Sequence, residues 1–447
     1  MNTKLENVPV APTLKQAFWY WLKLGLISFG GPAGQIAIMH KDLVEDKRWI
    51  SEKRFLHALN YCMVLPGPEA QQLATYIGWL MHKTRGGLLA GGLFVLPSLL
   101  ILMALSAIYM RFGSTPAVAG VLYGIKPAVV AIVLFAAYRI GSRALKNKAL
   151  WAITTASFLA ITVLKLPFPL IVGLAALIGY LGNRFAPTLF ANGGHKAADK
   201  SFGKAVIDDD TPTPTHAHFS WHSLVKFLLI GMAIWLAGMA LLTALYGWQA
   251  VYTQMAWFFT KAALLTFGGA YAVLPYVYQG AVMHYAWLTP TQMMDGLALG
   301  ETTPGPLIMV VAFVGFVGGW QHAAVYNPML SAMLAACIVT FFTFLPSFIF
   351  IFMGAPFIES TKDNLKLNAP LTAITAGVVG VIAALALYFA IQVFLPKGFV
   401  AKGAYFDWLA ALAAALGFVA LFKFKVNTIK LIGVFALLGL AHNFLLA

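Results

Sequence analysis

Apolar residues run in blocks along this chain, at roughly 14–30, 55–64, 69–81, 86–110, 116–138, 149–165 and 168–184. A further block lies at 223–246, the pattern restarts near Met255, and later blocks follow near 290–318, 327–355, 370–394, 406–423 and 428–446. Many reach the roughly 20 residues that a helix needs to cross a bilayer. The pattern predicts an all-α polytopic membrane protein. One long polar interruption, 186–222, contains Gly193-Gly194, the run Asp208-Asp209-Asp210 and Thr211-Pro212-Thr213-Pro214. Its composition predicts a flexible linker.

Helix-breaking motifs inside the apolar blocks occur twice in one register. Phe29-Gly30-Gly31 returns as Phe267-Gly268-Gly269, and Pro66-Gly67-Pro68 as Pro304-Gly305-Pro306, each 238 positions later. The same shift pairs Trp19 with Trp257, Lys23 with Lys261 and Trp49 with Trp287. Further on, Leu96-Pro97-Ser98 answers Leu345-Pro346-Ser347 at a shift of 249, so eleven extra residues fall between the two motifs, around Gly318 to Pro328. Duplicated halves with interrupted helices mark secondary transporters, whose substrate site lies where the repeats meet. The expected organisation is a first repeat over 1–185, a cytoplasmic linker over 186–222, an extra transmembrane helix within 223–250 and a second repeat over 251–447.

That extra helix changes the topology. If each repeat crosses the bilayer an even number of times, one added span inverts the second, giving two inverted-topology repeats with broken or re-entrant helices. Basic loops at Lys83 and Arg85, at Arg139 to Lys148, at Lys362 and Lys366, and at Lys423 to Lys430 alternate with loops free of Lys and Arg. Placing the basic set inside gives a cytoplasmic N-terminus and a periplasmic C-terminus. Residues 40–54 carry five Lys and Arg and their twin 278–292 carries none. Re-entrant hairpins over 14–48 and 52–82, bent at the two breaks, keep the basic segment cytoplasmic and are preferred to full spans.

Composition removes other classes. With 60% hydrophobic and 10% charged residues and a mean hydropathy of +0.80, the chain is no ordinary soluble domain. The net charge of +15 fits basic cytoplasmic loops better than nucleic acid, for which no binding module is visible. Cys62 and Cys337, both in apolar surroundings, read as packing residues. His195, His216, His218 and His222 read as solvated linker histidines, so no metal is expected. The first 12 residues lack an apolar core, and no cleavable signal is expected. No Walker loop, nucleophile–base pair or redox motif appears, so neither an enzyme nor a cofactor is expected.

Candidate chemistry gathers at the breaks. Irregular backbone at membrane depth survives only when buried in protein or lining a wet cavity. Pro32, Pro68 and Pro306 follow glycine and suit the first turn of a new helix, with Ala270 in the fourth equivalent place. Helix starts present free N–H groups and suit anions. The candidate anion-binding set is therefore Phe29, Gly30, Gly31, Pro32, Pro66, Gly67, Pro68, Gly268, Gly269, Pro304, Gly305 and Pro306. Lys23 and Lys261, intramembrane and duplicated, are candidates for anion attraction. Lys126, which aligns with Thr375, would set a single pose or a gate. Thr302 and Thr303 could donate hydroxyls. Glu69 and Glu301 are candidate proton carriers.

The FGGP and PGP breaks, the segment Gly124-Ile125-Lys126-Pro127-Ala128-Val129-Val130, the LPS motif and the duplicated halves resemble the chromate ion transporter (CHR) family in its two-domain long form, over nearly the whole chain. The family's motifs map onto Phe29, Gly30, Gly31, Pro32, Pro66, Gly67, Pro68 and Lys126. The resemblance implies a bacterial inner-membrane protein that exports chromate and confers chromate resistance. Ala270 in place of a second Pro32, and the missing basic segment, set the second half apart. The expected partners are a small oxyanion (chromate or sulfate) and the lipid bilayer, with a homodimer as a conceivable assembly. A sulfate carrier and an anion channel remain the alternatives.

Overall fold

A computed structural model describes residues 9–29, 31–113, 115–190, 202–212, 214–323, 325–360, 368–396 and 405–446. The chain is helical almost throughout. The first half contains α1 (Leu14–Ile27), α2 (Gly31–His40), a π-helical turn (Lys41–Asp46), α3 (Glu52–Val64), α4 (Glu69–Phe112), α5 (Pro116–Ala144), α6 (Lys148–Thr162) and α7 (Phe168–Phe185). A single turn, α8 (Pro187–Phe190), and the helix α9 (Trp221–Tyr246) follow. The second half contains α10 (Val251–Leu264), α11 (Ala270–Tyr278), a π turn (Gln279–His284), α12 (Pro290–Thr302), a 3-10 turn (Leu307–Met309), α13 (Val310–Gln321), α14 (Pro328–Ser360), α15 (Asn368–Phe394), α16 (Trp408–Phe422) and α17 (Thr428–Leu446). Among the described residues, seven helices are long and apolar enough to cross a membrane. This is a polytopic membrane protein.

The duplication read from the motifs extends to the backbone. The two π turns start 238 residues apart, as do α3 and α12. In each π turn the same bonds close the exit: Lys47 N to Asp42 O at 2.9 Å and Tyr285 N to Gly280 O at 2.8 Å. Arg48 and its twin Ala286 both have φ of 50°, a left-handed conformation that L residues seldom adopt. The eleven extra residues fall where α13 stops at Gln321 and α14 begins at Pro328. In the first half the chain only kinks there, at His82 and Lys83, inside α4. A third register, with a shift of 260, relates α6 to α16 and α7 to α17, and Lys165 (φ 53°) to Lys425 (φ 51°).

The helices flanking the breaks are short. α1 and α10 have 14 residues each and α3 and α12 have 13, about 20 Å at 1.5 Å per residue, against a hydrocarbon core of about 30 Å. Local capping fixes where three of them begin. Thr13 and Gln16 form a capping box at α1, Thr289 and Gln292 form its counterpart at α12, and Ser51 caps α3. The long helices then cross between halves. α5 packs on α16 and α17, whereas α15 packs on α6 and α7. The far end of α14 (Ile351, Phe352, Ala355, Ile358) joins the core formed by α1, α3 and the start of α4. Arg54 of α3 pairs with Glu359 at 3.3 Å, and Tyr61 donates to the Phe350 carbonyl at 3.0 Å.

Three expectations are corrected. The polar stretch is not a loose tether over its described part. Ile207 bridges Ile50 in parallel, Ser51 donates to Asp209 at 2.6 Å, and Arg54 donates to the Thr211 carbonyl at 2.7 Å. Backbone bonds seat the strap on the basic segment after the π turn, Val206 N to Arg48 O at 3.0 Å, Ile207 N to Trp49 O at 3.1 Å and Ser51 N to Ile207 O at 2.9 Å. His216 is not a solvated histidine: its Nε2 lies 3.1 Å from the Trp79 carbonyl and its ring meets the Trp79 ring edge-on. Cys337 is exposed on α14, unlike the buried Cys62. His195, Gly193-Gly194 and the loop lysines Lys362 and Lys366 lie outside the described residues.

Candidate functional site

Each break in one half is tied to a break in the other. The Gly67 amide donates to the Thr266 carbonyl at 2.7 Å, and the Gly305 amide donates to the Ser28 carbonyl at 2.8 Å. Ser28 and Thr266 are equivalent, as are Gly67 and Gly305, so the two bonds are one interaction made twice. Both glycines have positive φ, 128° and 103°, which the side-chain-free residue accommodates. Both are also tightly covered. A Cβ at Gly67 would lie 2.5 Å from Ser347 Oγ, and one at Gly305 would lie 2.7 Å from Ser98 Cβ. The PGP turn of each half therefore rests on the LPS motif of the other.

The predicted helix starts are found. Pro68 precedes the first residue of α4, Pro306 precedes the 3-10 turn leading into α13, Pro32 is the second residue of α2, and Ala270 opens α11. Phe29, Gly31, Pro66, Gly268, Gly269 and Pro304 flank the two bonded crossings; Gly30 lies outside the described residues. Glu69 reaches across the halves: a Cβ at Gly269 would lie 4.0 Å from its Oε1. Glu301 accepts a hydrogen bond from Tyr271 at the start of α11. Thr302 and Thr303 do not offer free donors. Their hydroxyls donate to the Leu299 and Gly300 carbonyls at 2.9 and 3.0 Å, closing the last turn of α12.

The lysines part company. Lys23 is exposed on α1, whose buried face is formed by Ala17, Tyr20, Trp21, Leu24 and Gly25. Lys261 is half-buried, with Nζ 5.3 Å from the Trp257 ring centroid, an arrangement that holds a cation over an aromatic face. Lys126 lies on α5, which packs on α12, the helix of Asp295. Asp295 is buried and accepts a hydrogen bond from Tyr109 near the end of α4 at 2.9 Å.

Several polar residues at the crossings carry no motif of their own and escaped the sequence reading. Gln35 donates to the Gly305 carbonyl at 2.5 Å and lies 3.4 Å from the Ser28 carbonyl. Gln72 donates to the Pro66 carbonyl at 2.8 Å, and Gln71 donates to Thr75 at 3.0 Å. Their equivalents at the 238 shift are Val273, Val310 and Met309, so these three amides are not repeated in the second half. The adjacent pair Gln71-Gln72, two residues past the Glu69 carboxylate in an otherwise apolar run, was the available signal. A separate cavity of about 520 Å³ sits away from the breaks, beside Tyr123, Asp407 and His442.

A family model described as chromate transporter matches residues 15–180 and 253–440. The chromate transport protein of Cupriavidus metallidurans is 30% identical over 429 residues, covering 95% of this chain and 92% of its own. That of Pseudomonas aeruginosa is 32% identical over 429 residues, covering 96% and 92%. A probable chromate transport protein of Synechococcus elongatus is 29% identical, covering 86% of each. No solved structure matches this chain.

Proposed function

This chain belongs to the chromate transporter family, and from that premise we propose that it exports chromate across the bacterial inner membrane by alternating access. The observation that carries the reading is the reciprocal pair of bonds, Gly67 to Thr266 and Gly305 to Ser28. It gathers four interrupted helices at the junction of two repeats, where free helix N-termini suit a small anion. Phe29, Gly31, Pro32, Pro66 to Pro68, Gly268, Gly269 and Pro304 to Pro306 are the proposed anion cradle at that junction. We take Glu69 and Glu301 as candidate proton carriers and Lys23, Lys126 and Lys261 as the cations that draw the anion toward the junction.

The halves are inverted relative to each other. With the short arms α1 to α3 and α10 to α13 treated as re-entrant, each half keeps three of the seven membrane-length helices (α4, α5 and α7; α14, α15 and α17) and one 15-residue helix (α6; α16). Counting that helix as a crossing makes four per half, an even number, and α9 adds the odd span. The N-terminus is then cytoplasmic and the C-terminus periplasmic. Each elementary charge crossing the membrane is worth about 2.3 kcal/mol per 100 mV, so a dianion leaving a negative-inside cell gains about 4.6 kcal/mol per 100 mV. Membrane potential alone can drive export, and proton antiport through Glu69 or Glu301 would add to it.

Radiolabelled chromate flux into proteoliposomes, with voltage and pH gradients imposed separately, tests this. Saturable flux that follows voltage is expected, with sulfate competing through its matching charge and shape. Unsaturable flux with single-channel currents would replace the carrier by a channel, and uptake of sulfate but not chromate would change the substrate.

A further inference from the structure

Ser98 and Ser347 hold the same place in the two halves, one residue after the proline of each LPS motif. Both side chains are fully buried. Each lies against the glycine of the opposite PGP turn, Ser98 against Gly305 and Ser347 against Gly67. Neither Oγ has a hydrogen-bond partner, and neither does the Oγ of Ser28, fully buried at the same crossing as Ser98. Other buried hydroxyls in these helices donate back to a carbonyl four residues earlier, among them Thr75, Thr266, Thr340 and Thr343. The Oγ of Ser106 in α4 shares the lack of a partner, and what sets Ser98, Ser347 and Ser28 apart is that they lie at the two crossings.

A hydroxyl buried without a partner loses its hydration and gains nothing in return. Such a group calls for a partner in another state of the molecule. Both crossings are closed here, with the glycine backbone seated on the serine. Separating a PGP turn from its LPS motif would uncover the hydroxyl beside the helix starts at Glu69 and Leu307. A tetrahedral dianion presents acceptor oxygens only, and a hydroxyl can turn its proton toward one of them. Neutral donors also let go of an anion more readily than a buried ammonium would, which a carrier needs at each turnover.

We propose that Ser98 and Ser347, joined by Ser28 at one crossing, are the hydroxyl donors that hold the transported oxyanion once the breaks part. The assignment rests on the oxyanion-transport reading above. It gives the role first expected of Thr302 and Thr303 to serines whose protons are not already committed.

Chromate binding to the purified full-length protein, by equilibrium dialysis with radiolabelled chromate, tests it on Ser98→Ala and Ser347→Ala. The control is Ser106→Ala, because Ser106 of α4 is equally buried and equally without a partner but lies two turns farther along the helix. Affinity should fall about tenfold or more for S98A and S347A, as for loss of a hydrogen bond to a charged ligand, and stay unchanged for S106A. Thermal stability without chromate should hold or rise in S98A and S347A, since alanine removes a polar group that had no partner. A serine kept for structure would lose stability instead. Where an alanine variant fails to fold, Ser98→Cys or Ser347→Cys, with a weaker donor, must show the same loss of affinity. Unchanged affinity in these variants, with wild type binding chromate, overturns the hydroxyl assignment alone. Wild type that binds neither chromate nor sulfate overturns the transport reading and the assignment with it.

Discussion

The amide of Gly305 donates to the carbonyl of Ser28 across 2.8 Å, joining a break in the second half to a break 277 residues earlier in the first. Its twin, from Gly67 to Thr266, runs the opposite way. Neither turn can move without releasing a bond to the other half, so motion at one crossing is transmitted to the fold as a whole.

Glycine substitutions at the breaks should separate packing from anion access. Gly305→Ala meets both a positive φ and Ser98, with Cβ to Cβ at 2.7 Å. Strained backbone of this kind costs about 1–3 kcal/mol, and the collision adds to it, so membrane abundance should drop. Gly31→Ala has φ of 72° but nothing within 4 Å of the added carbon. Its strain is about 1–2 kcal/mol; abundance should hold while chromate binding per folded molecule weakens. Quantitative immunoblotting and binding on size-exclusion-purified protein distinguish the two. Equal abundance of both variants would contradict the close seating of Gly305 on Ser98.

The paired lysines should be unequal. Lys261 is half-buried beside Trp257 whereas Lys23 is exposed. Lys261→Ala should slow chromate export severalfold at matched expression, and Lys23→Ala should do so less. Identical rates in the two variants would count against any role for the burial of Lys261.

The strap carries a pH dependence through His216. Burial against Trp79 holds its imidazole below the ordinary pKa, and the nearby Lys83 charge acts in the same direction. A histidine lowered on folding contributes its stability fully above the unfolded value of about 6.5, and loses it as pH falls toward the lowered folded value. Proteolysis between residues 202 and 217 should therefore accelerate between pH 7.5 and pH 5. His216→Phe, which keeps an aromatic edge on Trp79, should flatten that step. A step of unchanged size in the variant would assign it to another group.

Inverted halves should expose equivalent loops on opposite sides. Glu45 and Met283 are equivalent and both exposed, Met283 at 71%. In a background lacking Cys62 and Cys337, Glu45→Cys should react with impermeant thiol reagents from the cytoplasm and Met283→Cys from outside. Labelling of both from one side would make the repeats parallel.

Much of this was legible in the sequence because glycine and proline mark where a membrane helix must stop. FGG and PGP at one shift located four helix ends, and LPS at another located the insertion between α13 and α14. The equivalence of α6 with α16 and of α7 with α17 rests on scattered identities such as Gly173 with Gly433, Gly179 with Gly439 and Asn183 with Asn443, at a third shift that no glycine–proline break marks. The strap was misread for the opposite reason. Its Asp, Thr and Pro residues suit a solvated linker, and only the backbone bonds Val206 to Arg48, Ile207 to Trp49 and Ser51 to Ile207 explain why they dock. Gln35 was hidden because its partner, the Gly305 carbonyl, lies in the other half, beyond any local pattern.

The pairing of Arg54 with Glu359 sets an order of events during synthesis. When α3 leaves the ribosome, the residue that neutralises its arginine is still about 300 codons away, and the carbonyl that receives Tyr61 is nearly as distant. The first half must therefore enter the membrane with its short helices unmated and wait there for α14. An insertase or chaperone that shields half-length helices would be needed most in that interval. Separately expressed halves should accumulate only when made together.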